Sequence, residues 1–288
     1  MAKANALETT ARVGYAARGI VHMLVGGLAV LAAIGGGGET GGSKNALASL
    51  LGEPFGKTLL AVIALGLLAF SIWREVEALT DADNRGTSGK GLAIRGAHVI
   101  SGVIYLGLAV YAAGLAFGWA TGGGQGDGGA QGWSAWLLAQ PVGRWLLGLV
   151  GLGVIGGGLA FLGRAWKGDV TKHLHYLPHQ RGWVVPLGRA GFAARGVVFL
   201  IIGGFLIVAA WQAQSSEARG LGGALRTVQE QPYGWVLLGL VAAGLFAFGV
   251  FGLVQAVYRR IDAPDMDDAK DAAGDAKRAA ERGVRRMG

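Results

Sequence analysis

The chain has 288 residues, no cysteine and a formal net charge of +8; hydrophobic residues make up 52% of it and charged residues only 15%. With the apolar residues gathered into long runs, this composition excludes an ordinary soluble domain and marks an integral membrane protein. The missing cysteines exclude disulfides and thiolate metal sites, and leave the redox compartment open.

In chain order, a short N-terminal segment (1–10) precedes six apolar runs, at 13–34, 57–79, 96–119, 143–166, 190–212 and 234–258. Each is long enough to cross a hydrocarbon core of about 30 Å at about 1.5 Å per residue. A backbone in lipid must satisfy its own hydrogen bonds, so these runs predict helices. The first reads as an uncleaved helix rather than a secretory signal, because Arg18 interrupts it and a near-twin lies inside the chain at 188–210. Each outer connection has a glycine-rich stretch and then a short helix-like piece, NALASLLGEP, WSAWLLAQP or ALRTVQEQP. Those pieces are too short to span and are expected to lie at the interface, with a re-entrant cap over a pore as the alternative. Residues 261–288 form a charged tail, where Ala269, Ala272, Ala276 and Ala279 recur at helical spacing.

The six runs fall into three copies of one pattern, over 11–81, 94–168 and 188–260. Each opens with an arginine (Arg12, Arg95, Arg189) and reaches a Pro-x-Gly signal about 40 to 45 residues on, at Pro54, Pro141 and Pro232. Twelve residues after each proline stands a glycine: Gly66, Gly153, Gly244. On the first helices Gly19, Gly102 and Gly196 align, and seven residues further on Gly26, Ala109 and Gly203. Small residues two turns apart share a face and let helices approach closely in lipid, where no hydrophobic drive joins them. These positions, among them Gly19, Gly196, Gly66, Gly153 and Gly244, are therefore expected to be packing contacts. The expected fold is an all-α membrane protein: three parallel two-helix repeats in a pseudo-threefold six-helix bundle, with short interfacial helices on the outer side.

Gly14-Tyr15-Ala16-Ala17-Arg18-Gly19 and Gly191-Phe192-Ala193-Ala194-Arg195-Gly196, joined to a Pro-x-Gly second helix and repeated three times, resemble the bacterial membrane-protein family known as domain of unknown function 1206. The resemblance covers about residues 11–260. It implies a pair of transmembrane helices in each copy, and brings no activity and no catalytic residues with it. The middle copy departs from the motif, with Ser101 in place of the arginine.

Charge predicts orientation. Placing both termini and the 2–3 and 4–5 connections on one side collects 21 of the 26 Lys and Arg there. The positive-inside rule makes that side cytoplasmic, and the resemblance to a bacterial family implies that the membrane is the inner one. The positive charge then faces anionic lipid headgroups rather than nucleic acid. Tryptophans are expected at both interfaces: Trp73, Trp166 and Trp183 at the cytoplasmic one, Trp119, Trp133, Trp136, Trp145, Trp211 and Trp235 at the other.

Arg18 and Arg195 are the sharpest candidates for chemistry, since arginine inside a bilayer costs about 2.5–3.5 kcal/mol or more. Each lies six residues, about 9 Å of helix, beyond its opening arginine. Two readings stand: a snorkelling or interhelical structural role, or binding of an anionic headgroup, solute or internal carboxylate. Glu77, Arg164 and Gln255 share one offset from their prolines, which leaves two readings: three independent interfacial side chains in water, or a meeting near the cytoplasmic mouth with a Glu77–Arg164 pair bridging repeats. His22 aligns with Tyr105 and Phe199 and reads as a packed ring. His173, His175 and His179 are imidazoles of the kind that bind zinc, copper or nickel, but Lys172 and Arg181 oppose a cation and headgroup contact is the stronger reading. No phosphate loop, dinucleotide fingerprint, Ser/His/Asp arrangement or carboxylate pair is found.

These features predict a non-enzymatic scaffold or accessory subunit, without catalytic, cofactor or metal residues, that contacts anionic lipid and a membrane-protein partner. A channel or transporter along the pseudo-threefold axis is the alternative. A lipid-processing enzyme using Arg18, Arg195 and the His173–His179 loop is less supported, because no nucleophile or acid is positioned by a recognisable motif.

Overall fold

A computed structural model describes residues 2–38, 40–82, 86–120, 127–168, 170, 174, 181–259 and 261. These residues form nine α-helices: α1 (Ala2–Ala33), α2 (Ser43–Ser49), α3 (Gly56–Leu79), α4 (Gly89–Phe117), α5 (Gly128–Leu138), α6 (Gly143–Lys167), α7 (Arg181–Gln212), α8 (Leu221–Gln229) and α9 (Gly234–Tyr258). Each repeat is thus long, short, long, and all six long helices are of membrane-spanning length and hydropathy. The first helix of each repeat begins well before its apolar run. Hydropathy marks the part that suits lipid, whereas the backbone ladder continues beyond it; Ser88 caps α4 by accepting from the Gly91 N–H. Residues 262–288 lie outside the described residues, as do His173, His175 and His179.

The Pro-x-Gly signal has a steric reason. It links each short helix to the long helix after it, and Phe55 and Tyr233, at its centre in the outer copies, adopt left-handed backbone with φ of 60° and 58°. A side chain on the following glycine would strike the short helix: Gly56 abuts the Leu50 carbonyl, Gly143 that of Leu137 and Gly234 that of Gln229. The turn closes that tightly only because glycine has no Cβ.

Packing between repeats follows one rule. The second long helix of each repeat lies along the first of the next, giving α3/α4, α6/α7 and, closing back on the start of the chain, α9/α1. The contact residues correspond. Gly249 meets Gly19, where an added Cβ on Gly19 would come 2.7 Å from the Gly249 carbonyl oxygen; Gly158 meets Gly196 at 2.9 Å in the same sense. In the third pair Ser71 replaces the glycine and its hydroxyl donates to the Gly102 carbonyl at 2.8 Å. Two turns along, Gly26 meets Ala242 and Gly203 meets Gly151.

Packing within repeats is unequal. In repeat one, Gly14 lies against the Phe70 backbone and Gly66 against Ala17; in repeat three, Gly191 lies against Phe248 and Gly244 against Ala194. In repeat two, α4 and α6 form no comparable interface. Nothing lies within 4 Å of a Cβ built on Gly153. The expectation that Gly153 packs like Gly66 and Gly244 is therefore corrected. Its counterpart across the repeat is Ile100, 63% exposed, where the other copies have buried Ala17 and Ala194. The neighbours run α4, α3, α1, α9, α7, α6, a row curled upon itself and open between its ends.

The short helices gather at the end opposite the termini. Gly222, on α8, approaches the Gly42 backbone before α2, and the Asp127 carboxylate before α5 accepts from the Gly220 and Gly223 N–H groups at 2.8 and 3.1 Å. The tryptophans expected at the two interfaces are exposed except Trp73, which is buried in the core of α1, α3 and α4. Its place on the inner face of α3 outweighs its position near the helix end.

Candidate functional site

Three polar layers lie toward the end that carries the termini. Outermost are the repeat-opening arginines, each closing the last helix of another repeat. Arg95 donates from Nε and Nη2 to the Ala78 and Leu79 carbonyls at 2.7 and 3.1 Å, and Arg189 to Ala165 and Trp166 at 2.8 and 3.4 Å. Arg12 donates to Ala256 at 2.8 Å and to Val257, and its Nη2 pairs with Glu8. The last carbonyls of a helix have no intrahelical donor and carry partial negative charge, so a guanidinium there satisfies both. Their constant place at the head of each copy was visible in the sequence; their targets, on another repeat, were not.

The second layer is built on Glu77, 1% exposed on α3. Arg74 pairs with one of its carboxylate oxygens and Arg259 with the other at 2.7 Å, while His98 Nδ1 stands 3.5 Å away. The expected Glu77–Arg164 pair is thus replaced by Arg74, one turn earlier on the same helix, and Arg259, from beyond α9. Arg164 is exposed in the last turn of α6, a helix that packs on α7 and not on α3. Gln255 is buried on α9, with its Oε1 unpartnered.

The third and deepest layer holds Arg18 and Arg195. Arg18 is 6% exposed, and none of its nitrogens hydrogen-bonds to a described residue. It lies instead among rings, 5.7 Å from the Tyr15 centroid, 5.2 Å from Phe70 and 4.9 Å from Phe248. Half-buried Arg195 lies 4.7 Å from the same Phe248, 5.3 Å from Phe161 and 5.1 Å from Phe199. Its Nη1 donates to His22 Nε2 at 2.9 Å, and His22 Nδ1 is 2.9 Å from the Arg18 carbonyl. A neutral imidazole with its hydrogen on Nδ1 satisfies both bonds. His22 is thus a packed ring, edge-on to Phe248 at 5.1 Å, and also a polar link between α1 and α7. Faces of aromatic rings attract guanidinium, but among the described residues no carboxylate pairs with either charge.

Of this cage the middle repeat supplies Phe161, but neither the arginine nor the phenylalanine common to the outer copies. Ser101 stands where Arg18 and Arg195 stand, and Gly157 where Phe70 and Phe248 stand. Of this layer the sequence revealed both arginines and His22. It did not reveal the rings that surround them, because apolar aromatic positions on six helices look alike until the helices are paired. Among the described residues no group of three or more His, Asp or Glu is placed to hold a metal ion.

Six membrane-length helices in three long-short-long repeats, joined by arginine caps from one repeat to the next, define an all-helical multi-pass membrane protein with internal repeats. The chain belongs to the family described as Domain of Unknown Function (DUF1206), which matches residues 13–81, 96–168 and 190–259. It is similar to the uncharacterized protein YxxB of Bacillus subtilis (strain 168), 35% identical over 255 residues, which is 87% of this chain and 90% of that protein. No solved structure matches it.

Proposed function

We propose that this is a non-enzymatic scaffold or accessory subunit of the bacterial inner membrane, with both termini cytoplasmic, that packs one face of its middle repeat against a helix of another membrane protein. The observation that carries this reading is α6, the least covered of the six long helices. Gly156 and Gly163, two turns apart, face open space, flanked by exposed Leu152 and Leu159. Elsewhere in this molecule small residues at that spacing mark helix–helix contacts, as at Gly19 and Gly26 or Gly196 and Gly203. A pseudo-threefold arrangement with one repeat left open gives such a partner a place without disturbing the other two. Conduction along the bundle has less support, because rings of Tyr15, Phe70, Phe192 and Phe248 crowd the interior at the level of Arg18.

The chain has no cysteine, so Gly156→Cys carries a single thiol for cross-linking in native membranes. The expected result is a discrete adduct with one other membrane protein, absent from a Cys placed at the buried Leu67. A cross-link only to a second copy of the chain, or none at all, counts against the accessory-subunit reading.

A further inference from the structure

We infer that Arg18 and Arg195 form a binding site for the phosphate of an anionic membrane lipid, reached sideways through the opening between α4 and α6. The site stands apart from the partner face proposed on α6: a Cβ on Gly156 or Gly163 would meet nothing within 4 Å, whereas one on Gly157 would come 3.7 Å from the Phe199 ring, which also lies against Arg195.

Charge is the first reason. Arg18 is more than nine-tenths buried, makes no hydrogen bond to a described residue, and shares the Phe248 ring with a second guanidinium. Two like charges at this depth repel one another and are costly to hold in a low-dielectric interior. The nearby acid Glu77 already has Arg74 and Arg259, the other acid of α3, Glu75, lies against Gly102 on α4, and His22 brings no negative charge. The aromatic faces offset part of the cost and leave the N–H edges of Arg18 unsatisfied. A phosphate supplies the missing acceptors in the geometry guanidinium prefers.

Shape is the second, independent reason. The repeat correspondence puts Ala97, Ile100 and Ile104 of α4 in the places of Gly14, Ala17 and Val21 of α1, all of which are buried, yet these three are exposed. On α6, Gly157 replaces the phenylalanine that closes the outer repeats, and a Cβ on Gly153 would meet nothing where one on Gly66 or Gly244 would meet an alanine. Ser101 and Gly157 stand where the outer repeats have an arginine and a phenylalanine, so the middle repeat lacks these two large side chains at that level. The result is an apolar slot, facing lipid, that leads to a cationic centre. This combination suits an acyl chain with a phosphate at its head; a free inorganic anion has no use for the slot.

The test is lipid retention by the purified full chain, measured by native mass spectrometry after exchange into phosphatidylcholine doped with phosphatidic acid. The wild type is expected to keep one phosphatidic acid per chain, no phosphatidylcholine, and to resist displacement by millimolar inorganic phosphate. Arg18→Gln/Arg195→Gln is expected to retain at least about tenfold less, as lost charge-assisted bonds imply. Lys90→Gln/Lys167→Gln, which removes two exposed surface cations, is expected to retain as much as the wild type. Gly153→Trp fills the slot at a position that touches nothing, so it preserves the fold while lowering retention. Wild-type retention by the double glutamine variant overturns the inference, as does an equal loss in the surface-lysine control. Displacement by inorganic phosphate makes the ligand a free anion and overturns the lipid assignment. Loss in the glutamine variant with full retention in Gly153→Trp upholds the arginine site and overturns the sideways route.

Discussion

Arginine plays three different parts in this protein, and depth separates them. At the helix ends Arg12, Arg95 and Arg189 close carbonyls of another repeat. Replacing Arg95 with alanine removes two charge-assisted bonds and is expected to destabilise the fold by about 1–3 kcal/mol in reversible unfolding from mixed micelles. One layer in, Arg74 and Arg259 hold the buried Glu77. Glu77→Gln leaves both guanidiniums without their carboxylate, so a larger loss, about 3–5 kcal/mol, is expected in the same measurement; a loss under about 1 kcal/mol would place the pair effectively in water. Deepest, Arg18 and Arg195 have rings around them and, among the described residues, no acid paired with them. The sequence distinguished the first group from the third by a fixed offset of six residues. It gave no sign that Glu77 would choose Arg259, 182 residues away, over Arg164.

Between elements, the decisive variable is what stands opposite a glycine. Gly66, Gly153 and Gly244 have the same spacing from their prolines, yet the first and third meet Ala17 and Ala194 while Gly153 meets nothing. A methyl group at Gly66 or Gly244 must push two helices apart, and Gly66→Ala and Gly244→Ala are each expected to cost about 1–3 kcal/mol. Gly153→Ala is expected to change stability by less than about 0.5 kcal/mol, and any change should be favourable, because alanine is the better helix former. Thermal unfolding of the three variants side by side checks this; equal losses would mean that α4 and α6 close against one another in the membrane. The periodic small residues were legible because a helix repeats its faces regularly. Which of them would be used was not, since that depends on Ile100 standing where the other copies have alanine.

On the scale of the whole molecule, the three interfaces between repeats make the chain close on itself: α9 meets α1 as α3 meets α4. Both described ends therefore lie together, with Arg12 bonded to the carbonyls of Ala256 and Val257. The proposed orientation, from the charge asymmetry, has that end in the cytoplasm. In intact cells a membrane-impermeant thiol reagent is expected to label Ser216→Cys and to leave Ala6→Cys unlabelled until the membrane is opened. The reverse pattern would invert the protein and move the arginine pair to the outer leaflet.

The six long apolar helices, their pairing into three copies and the short helix in each connection were legible in the sequence alone. Hydropathy accumulates over some twenty neighbouring residues, and a repeated pattern needs no knowledge of what it touches. The tertiary structure decided the rest: which second helix meets which first helix, that one repeat stays open, and that two arginines share a phenylalanine. Those outcomes depend on residues far apart in the chain meeting across a helix face, and a difference of one side chain, Ile100 for alanine or Gly157 for phenylalanine, leaves the local pattern intact while changing what can pack against it.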